Sequence, residues 1–359
     1  MPRLALHSVH EAACAVFVQV GGWEVPACYG DVASEYRAVR EAAGIADRSA
    51  RGKLRVTGSD RVRFLHGMLS NTVEGLGEGE GNYATLTNPK GQTLTDVWVH
   101  HRGESFVLET EPGFQEKLYT SLDRYLIADD VEMQDITESL AILGVQGPRA
   151  GELVSEIFGG VPTDLPEYHT VIRSFNGTEV MVVSRAFAGE SGYDLWVAVK
   201  RAEALWSALE KRGGRPAGFE ALEVLRVEAG IPRYGVDVDE RATPLEAGLY
   251  SAVDFEKGCY VGQEVIAKMH NLGKPRRYLV GLCVEADTPP AAGAPVWTDG
   301  KEIGHITSGL RSLALDRVVA LASVRRGFQE PGQVVFTEGG VQAEVVALPF
   351  YKAVPTRLE

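Results

Sequence analysis

Apolar positions along this chain switch between two spacings. Val32, Tyr36, Val39 and Ala43 recur at helical intervals, with Asp31 placed to cap the helix and Gly44 to end it. Lys53 to Thr57 alternates, Leu54 and Val56 sharing a face, and reads as a strand. Gly58-Ser59-Asp60 then opens a helix carrying Val62, Leu65 and Leu69. A hairpin follows. Its arms are 82–87 and 92–101, and its turn, Asn88-Pro89-Lys90-Gly91, has proline second and glycine fourth. On the second arm the period of two puts Leu94, Asp96 and Trp98 on one face, an acid between two apolar neighbours.

Further along, Phe106 to Glu109 and Ala141 to Val145 read as strands. Phe114, Leu118, Leu122 and Tyr125 mark an amphipathic helix, and Gly147-Pro148 opens another. Asn176-Gly177 is a hairpin turn between two β-rich runs. Helices are expected over 201–212 and 217–229, the second placing Arg226 beside Leu222, Leu225 and Ala229. From Leu279 onward the pattern becomes short β-type runs (279–285, 303–308, 318–324, 334–337, 341–347) between Pro/Gly-rich turns, which suggests a small all-β domain beginning near 275–280.

Composition narrows the function classes. The 359 residues suggest two or three domains, and 45% hydrophobic residues supply a core. A net charge of −13 argues against nucleic acid bound through a broad basic surface. No apolar run approaches the roughly 18–20 residues that span a bilayer, so no membrane partner is expected. The start, Met1-Pro2-Arg3 running into His7, His10 and Glu11, lacks an apolar leader core, and a cytoplasmic protein is expected. Cys14, Cys28, Cys259 and Cys283 form no C-x-x-C pair, and no metal site is expected. P-loop, G-x-G-x-x-G and H-E-x-x-H patterns are absent.

Several residues could carry chemistry. In Lys257-Gly258-Cys259-Tyr260-Val261-Gly262-Gln263-Glu264 a thiol lies between glycines, two residues from an ammonium that would favour its reactive thiolate. The alternative is a small buried hydrophobe. Asp96 on a half-buried face would be desolvated and suited to proton transfer, or else it faces solvent at a strand edge. Glu190, flanked by Gly189 and Gly192, could accept paired N–H groups of a heterocycle, or lie in a solvated turn. Arg226 would meet a ligand carboxylate, or Glu223 or Glu228 in an ion pair. Tyr83 is either an aromatic platform or core packing.

Together these residues resemble the glycine cleavage T-protein (GcvT) superfamily. The resemblance runs from Gly21-Gly22-Trp23-Glu24-Val25-Pro26 and Tyr36 to Asp47, through Phe64 to Asn71, Val145 to Pro148, Arg185 to Tyr193 and Arg226 to Gly230 with Tyr234-Gly235. It ends in Gly304 to Gly309 and Pro349-Phe350-Tyr351. Within the superfamily, Lys257 to Glu264 is similar to the K-G-C-Y-x-G-Q-E signature of the YgfZ branch. The resemblance implies an α+β fold: a folate-binding core over 1–278 with ferredoxin-like portions, a subdomain inserted at about 52–138, and a β-barrel over 279–359. It implies tetrahydrofolate as cofactor, held by Tyr83, Asp96, Glu190, Arg226 and Tyr234. The leading expectation is a YgfZ-type protein that assists iron–sulfur protein maturation, with iron–sulfur client proteins as partners, Cys259 as reactive thiol and Lys257 tuning it. The alternative is a tetrahydrofolate-dependent aminomethyltransferase. Thr95 in place of the family's first paired aspartate, and Glu109-Thr110-Glu111-Pro112 in place of its N-A-A-N run, weigh against that alternative.

Overall fold

The computed structural model describes residues 2–162, 164–271 and 273–352. The fold is α+β, built from a five-stranded sheet, a six-stranded sheet and a closed six-stranded barrel, with a short N-terminal hairpin. The expected C-terminal β domain runs to 359, and its residues 353–359 lie outside the described residues.

All strands of the five-stranded sheet come from residues 52–135. Their spatial order is Gly81–Thr87, Thr93–Arg102, Ser105–Thr110, Gly52–Thr57, Glu132–Asp135. Its core joins Leu54, Val56, Leu86, Val97, Val99 and Leu108 to Leu65 of the helix Arg61–Met68 and to Leu118 and Leu122 of the helix Gln115–Asp123. The six-stranded sheet has the order Thr170–Phe175, Thr178–Ser184, Gly192–Ala198, Leu140–Gln146, Gly44–Asp47, Arg215–Pro216. It is covered by the helices Ala150–Phe158 and Val199–Lys211, whose Leu153, Leu205 and Trp206 are buried. Val107 from the first sheet and Ile136, just past its last strand, pack on Ile142, Met181, Val183 and Trp196 from the second. This apolar seam fixes the two sheets against each other.

Asp31 caps the helix Val32–Glu41 by accepting from the Ala33 and Ser34 amides. Gly44 does not end that helix. It starts the strand Gly44–Asp47, and a Cβ there would lie 2.3 Å from Val39 Cγ2, so the helix can approach the strand only over glycine. The helix expected at Gly147-Pro148 begins two residues later, at Ala150, because Gly147 occupies a turn with φ +122°. The hairpin at Asn176-Gly177 has both turn residues at positive φ, as a tight two-residue connection requires.

The barrel closes in the order Arg277–Val284, Arg317–Arg325, Lys301–Ser312, Pro295–Thr298, Val334–Phe336, Gln342–Val346. Pro295–Thr298 is a strand the sequence pattern missed; it is only four residues long and opens on proline. The barrel rests on the helix Phe219–Glu228 through Val227, Val319 and Leu321. Buried Glu228 ties three elements together. It accepts from Ser312 Oγ (2.6 Å) in the barrel, and from Tyr36 Oη (2.6 Å) and Arg40 Nη2 (2.7 Å) in the first long helix.

Candidate active site

Where the two sheets, the N-terminal hairpin and the helix Phe219–Glu228 meet, they leave a cavity of about 470 Å³. That is within the range of about 300–1,000 Å³ usual for small-molecule sites. Its walls carry Tyr83, Trp98, Tyr168, Phe187 and Phe219, together with Arg48, Arg51, Arg185, Arg226, Arg233 and Glu111.

The antiparallel register of the 81–87 and 93–102 strands builds one wall. Tyr83 pairs with Trp98, and the rings stack at 4.8 Å. The Tyr83 hydroxyl reaches diagonally to donate to Asp96 Oδ2 at 2.9 Å. Asp96 and Trp98 therefore share a face, as the sequence pattern predicts. Leu94 leaves it. A bulge beside Thr87 breaks the register, and Leu94 packs instead with Val97 and Val99 in the sheet core.

Asp96 is buried, and its Oδ1 has no hydrogen-bond partner among the described residues. Burial, then the nearby Glu111 carboxylate, push its carboxyl up to about 7; Arg51 and the Tyr83 hydrogen bond oppose them. Its neighbour Thr95 faces away, bonded to Thr110 Oγ1 at 3.1 Å.

Behind Trp98 lies a buried network. Arg51 donates through Nε to Glu109 and through Nη1 to Glu111 Oε1 at 2.6 Å, with its guanidinium 4.4 Å from the Trp98 ring centroid. Arg185 sits 4.0 Å from the same centroid and 3.6 Å from Glu109 Oε2. Arg48 bonds Asp194 and lies over Phe187. Burial works against the Glu109 carboxylate, but Arg51 and Arg185 outweigh it and hold the group well below the usual range. Lys53, wholly buried beneath, donates to the carbonyls of Ser49 (2.8 Å) and Arg51 (2.9 Å); burial brings its ammonium down to about 8.

The residues singled out from sequence fall into three groups. Tyr83 and Arg226 line the cavity; Asp96 does not line it but accepts from the Tyr83 hydroxyl directly behind its wall. The Arg226 guanidinium is engaged within the protein, by Glu223 (2.8 Å), Asp237 (2.8 Å) and Ser308 (2.9 Å). Of the alternatives left open, its partner is thus Glu223, with Asp237 added, and it braces the helix against the barrel.

Glu190 and Tyr234 are buried but are not cavity-lining residues. Glu190 accepts from Arg40 Nη1 at 2.6 Å, and the Tyr234 hydroxyl lies between Lys117 Nζ (2.8 Å) and the Thr93 carbonyl (3.3 Å).

Lys257 and Cys259 stand apart. Lys257 Nζ donates to three carbonyls, of His66 (2.6 Å), Leu69 (2.6 Å) and Asn71 (3.0 Å), fastening the end of the helix Arg61–Met68. Burial lowers its ammonium to about 8. The expected tuning of Cys259 gives way to this structural role, because the ammonium is turned inward onto these carbonyls while Cys259 is exposed. Neither residue lines the cavity. The burial alternative for Cys259 fails as well.

Arg51, Arg185 and Trp98 were not singled out from sequence. They come from three separate segments, and only Glu109 and Glu111, an alternating acidic pair on a β-type run, hinted that cations were waiting across the sheet.

The cavity suits a folate on its own terms. It offers several aromatic faces for a flat heterocycle, and its lining residues Arg51 and Arg233 each carry a nitrogen (Nη2 and Nε) without a hydrogen-bond partner among the described residues.

Residues 6–257 match the GCVT N-terminal domain, and residues 277–352 match the glycine cleavage T-protein C-terminal barrel domain. The chain belongs to the GCVT family. A Rubrobacter xylanophilus protein named aminomethyltransferase is 35% identical, over 98% of this chain and 94% of its own length. One from Prosthecochloris aestuarii, of the same name, is 32% identical over 98% of this chain and 99% of its own length. The crystal structure of glycine cleavage system aminomethyltransferase T from Bartonella henselae superposes with a TM-score of 0.90 at 27% identity, covering 98% of both chains.

These likenesses overturn the leading expectation. Full-length relatives at 31–35% identity carry the aminomethyltransferase name, and nothing among them points to iron–sulfur maturation or to iron–sulfur clients. The Lys257–Glu264 motif was too local to decide the branch. The cofactor expectation stands, since this family uses tetrahydrofolate. Among the described residues no helix is long and apolar enough to cross a membrane.

Proposed function

We propose that this protein is a tetrahydrofolate-dependent transferase of the aminomethyltransferase type, which moves a one-carbon unit onto the folate. The observation that carries the reading is Asp96, a buried carboxyl with one oxygen unpartnered among the described residues, held directly behind an aromatic cavity by the lining residue Tyr83. Bound tetrahydrofolate supplies the nitrogen nucleophile that accepts the one-carbon unit.

The protein's part is to bind, orient and handle charge. Tyr83 and Trp98 offer stacked aromatic surface to the ring system. Tyr83 also fixes the rotamer of Asp96, leaving Oδ1 free to hold a proton or to face a developing positive charge. Because its carboxyl titrates near neutrality, Asp96 is suited to accept a proton and return it within one cycle. Arg226 in the wall, and Glu190 and Tyr234 behind it, act as positioning residues, through Glu223, Arg40 and Lys117 respectively.

The test is incubation with tetrahydrofolate and a lipoyl carrier protein bearing an aminomethyl group. Stoichiometric release of ammonia with formation of methylene-tetrahydrofolate supports the reading. Tetrahydrofolate binding with neither product removes it.

A further inference from the structure

Asp96 stands behind the wall, so another group must meet the ligand there. Among the described residues four carboxylates line the cavity: Asp47, Glu111, Glu167 and Glu223. Asp47 has both oxygens engaged, by the Ser49 amide (2.9 Å) and by His10 Nε2 (3.0 Å). Both oxygens of Glu223 accept from Arg226, each at 2.8 Å. Glu167 is exposed. Glu111 differs from all three. Its side chain is 13% exposed, Arg51 Nη1 donates to Oε1 at 2.6 Å, and Oε2 takes no hydrogen bond from the described residues. Burial works against its charge, but Arg51 outweighs burial and holds the carboxyl below the usual range. The cavity wall thus carries a fixed, ionised carboxylate with one oxygen open to a further donor.

Glu111 also stands next to Asp96. The strands Thr93–Arg102 and Ser105–Thr110 are antiparallel, and at this end their last pair is Trp98 with Glu109. Carried two residues further, the same register sets Asp96 opposite Glu111, on the face that carries Trp98. Opposed residues on one face have Cβ atoms about 4.5–5.5 Å apart. Two carboxyls that close resist ionising together. After burial, Glu111 is what most raises the Asp96 carboxyl. One proton therefore serves a pair, with Glu111 toward the cavity and Asp96 behind it.

We propose that Glu111 is the carboxylate that touches the ligand, its open oxygen accepting an N–H of the folate nitrogens that take up the one-carbon unit, with Asp96 as its proton-bearing partner. This rests on the one-carbon transfer reading and adds to it a residue in contact with the reacting atoms. The protons balance. As the two folate nitrogens bond the carbon, its bonds to the amine and to the carrier sulfur break, and two N–H protons are lost. One leaves on the amine as ammonia and one on the sulfur as a thiol, so the pair ends each cycle with the proton it began with.

The groups around the pair are Glu109, Arg48, Arg51, Arg233 and the hydroxyls of Tyr83 and Tyr234. They keep their charge near neutrality: Glu109 is held low, both phenols are pushed up by burial, and the guanidiniums stay cationic. Lys53, down at about 8, acts on Glu109 and Asp47, and a pH dependence set by it would not move with Glu111.

The test compares full-length wild type, Glu111→Gln and Glu111→Asp by transfer rate at saturating tetrahydrofolate across the pH range. Glu111→Gln should lose about 10²-fold or more in rate. Its rise in rate should also move from about pH 7 to lower pH, because Asp96 no longer faces a carboxylate. Glu111→Asp keeps the charge, so its rise should stay in place while the withdrawn oxygen costs about tenfold in rate. A Glu111→Gln rate close to that of wild type would overturn the contact. A rate loss with the rise unmoved would overturn the pairing with Asp96. Full activity in Glu111→Asp would overturn the contact even where Glu111→Gln fails to fold. A wild type that makes no methylene-tetrahydrofolate removes the transfer reading and this proposal together, whereas an active wild type with an indifferent Glu111 removes the proposal alone.

Discussion

Two regions of this molecule carry reactive side chains, and they contrast sharply. In the cavity wall and directly behind it, Arg51, Arg185 and Asp96 are buried, held by specific partners, and each has a polar atom without a hydrogen-bond partner among the described residues. In the 257–264 loop, the ammonium of Lys257 is fully used by three backbone carbonyls and Cys259 is simply exposed. The loop has the more conspicuous sequence and the wall has the more reactive environment. Unusual residue types at short spacing show that a segment is special. Burial with incomplete satisfaction shows where chemistry is waiting.

The comparison breaks first at Asp96. Asp96→Asn keeps the Tyr83 hydrogen bond but abolishes proton exchange, and aminomethyl transfer should fall about 10²- to 10⁴-fold, measured as ammonia release. Cys259→Ala in the same assay should stay within about twofold of wild type, in line with an exposed side chain away from reacting atoms. A Cys259→Ala loss as large as that of Asp96→Asn would reverse the contrast between wall and loop.

Protonation sharpens it next. With its carboxyl raised from 3.8 to about 7 in the fold, Asp96 is protonated over a window in which the unfolded chain is ionised. Its contribution to stability is complete below about pH 4 and disappears as pH rises through about 7, up to about 4 kcal/mol if the shift is fully expressed. Denaturant titrations at pH 4.5 and 8 should show this loss in wild type and a flatter profile in Asp96→Asn. Activity should run the opposite way and rise through about pH 7 as the carboxylate forms.

Lys257→Met separates structural from chemical loss. Three carbonyls lose their donor, and stability should drop by about 1–3 kcal/mol, read from urea unfolding. The transfer rate per folded molecule should hold. A smaller loss is expected at Trp98, where replacement by Leu keeps the apolar wall but removes an aromatic face. Tetrahydrofolate affinity should weaken about threefold to tenfold, measured by calorimetry, with little change in rate at saturation.

Much of the architecture could be read from local pattern. The hairpin at 82–101, the cap at Asp31 and the β-runs of the barrel are each set by residues within one element. The site was legible only in part, for physical reasons. Asp96 and Tyr83 declared themselves because both sit on the hairpin, where period and turn fix the faces. Arg51 does not, because it meets Glu109 only when strand Gly52–Thr57 pairs with Ser105–Thr110, more than fifty residues away. Arg185 arrives from the other sheet. Lys257 was misjudged because two residues in an irregular loop share no fixed face: its ammonium turns inward while the Cys259 thiol stays exposed. The bulge that displaces Leu94 has no signature in the alternation of 92–101.

The most direct measurement is a single-turnover reaction with aminomethylated lipoyl carrier protein and tetrahydrofolate, followed for wild type, Asp96→Asn and Cys259→Ala side by side. The account predicts one equivalent each of ammonia and methylene-tetrahydrofolate from wild type and Cys259→Ala, and a burst slowed at least about 100-fold in Asp96→Asn. Equal bursts from all three proteins, or no burst from wild type, would contradict it.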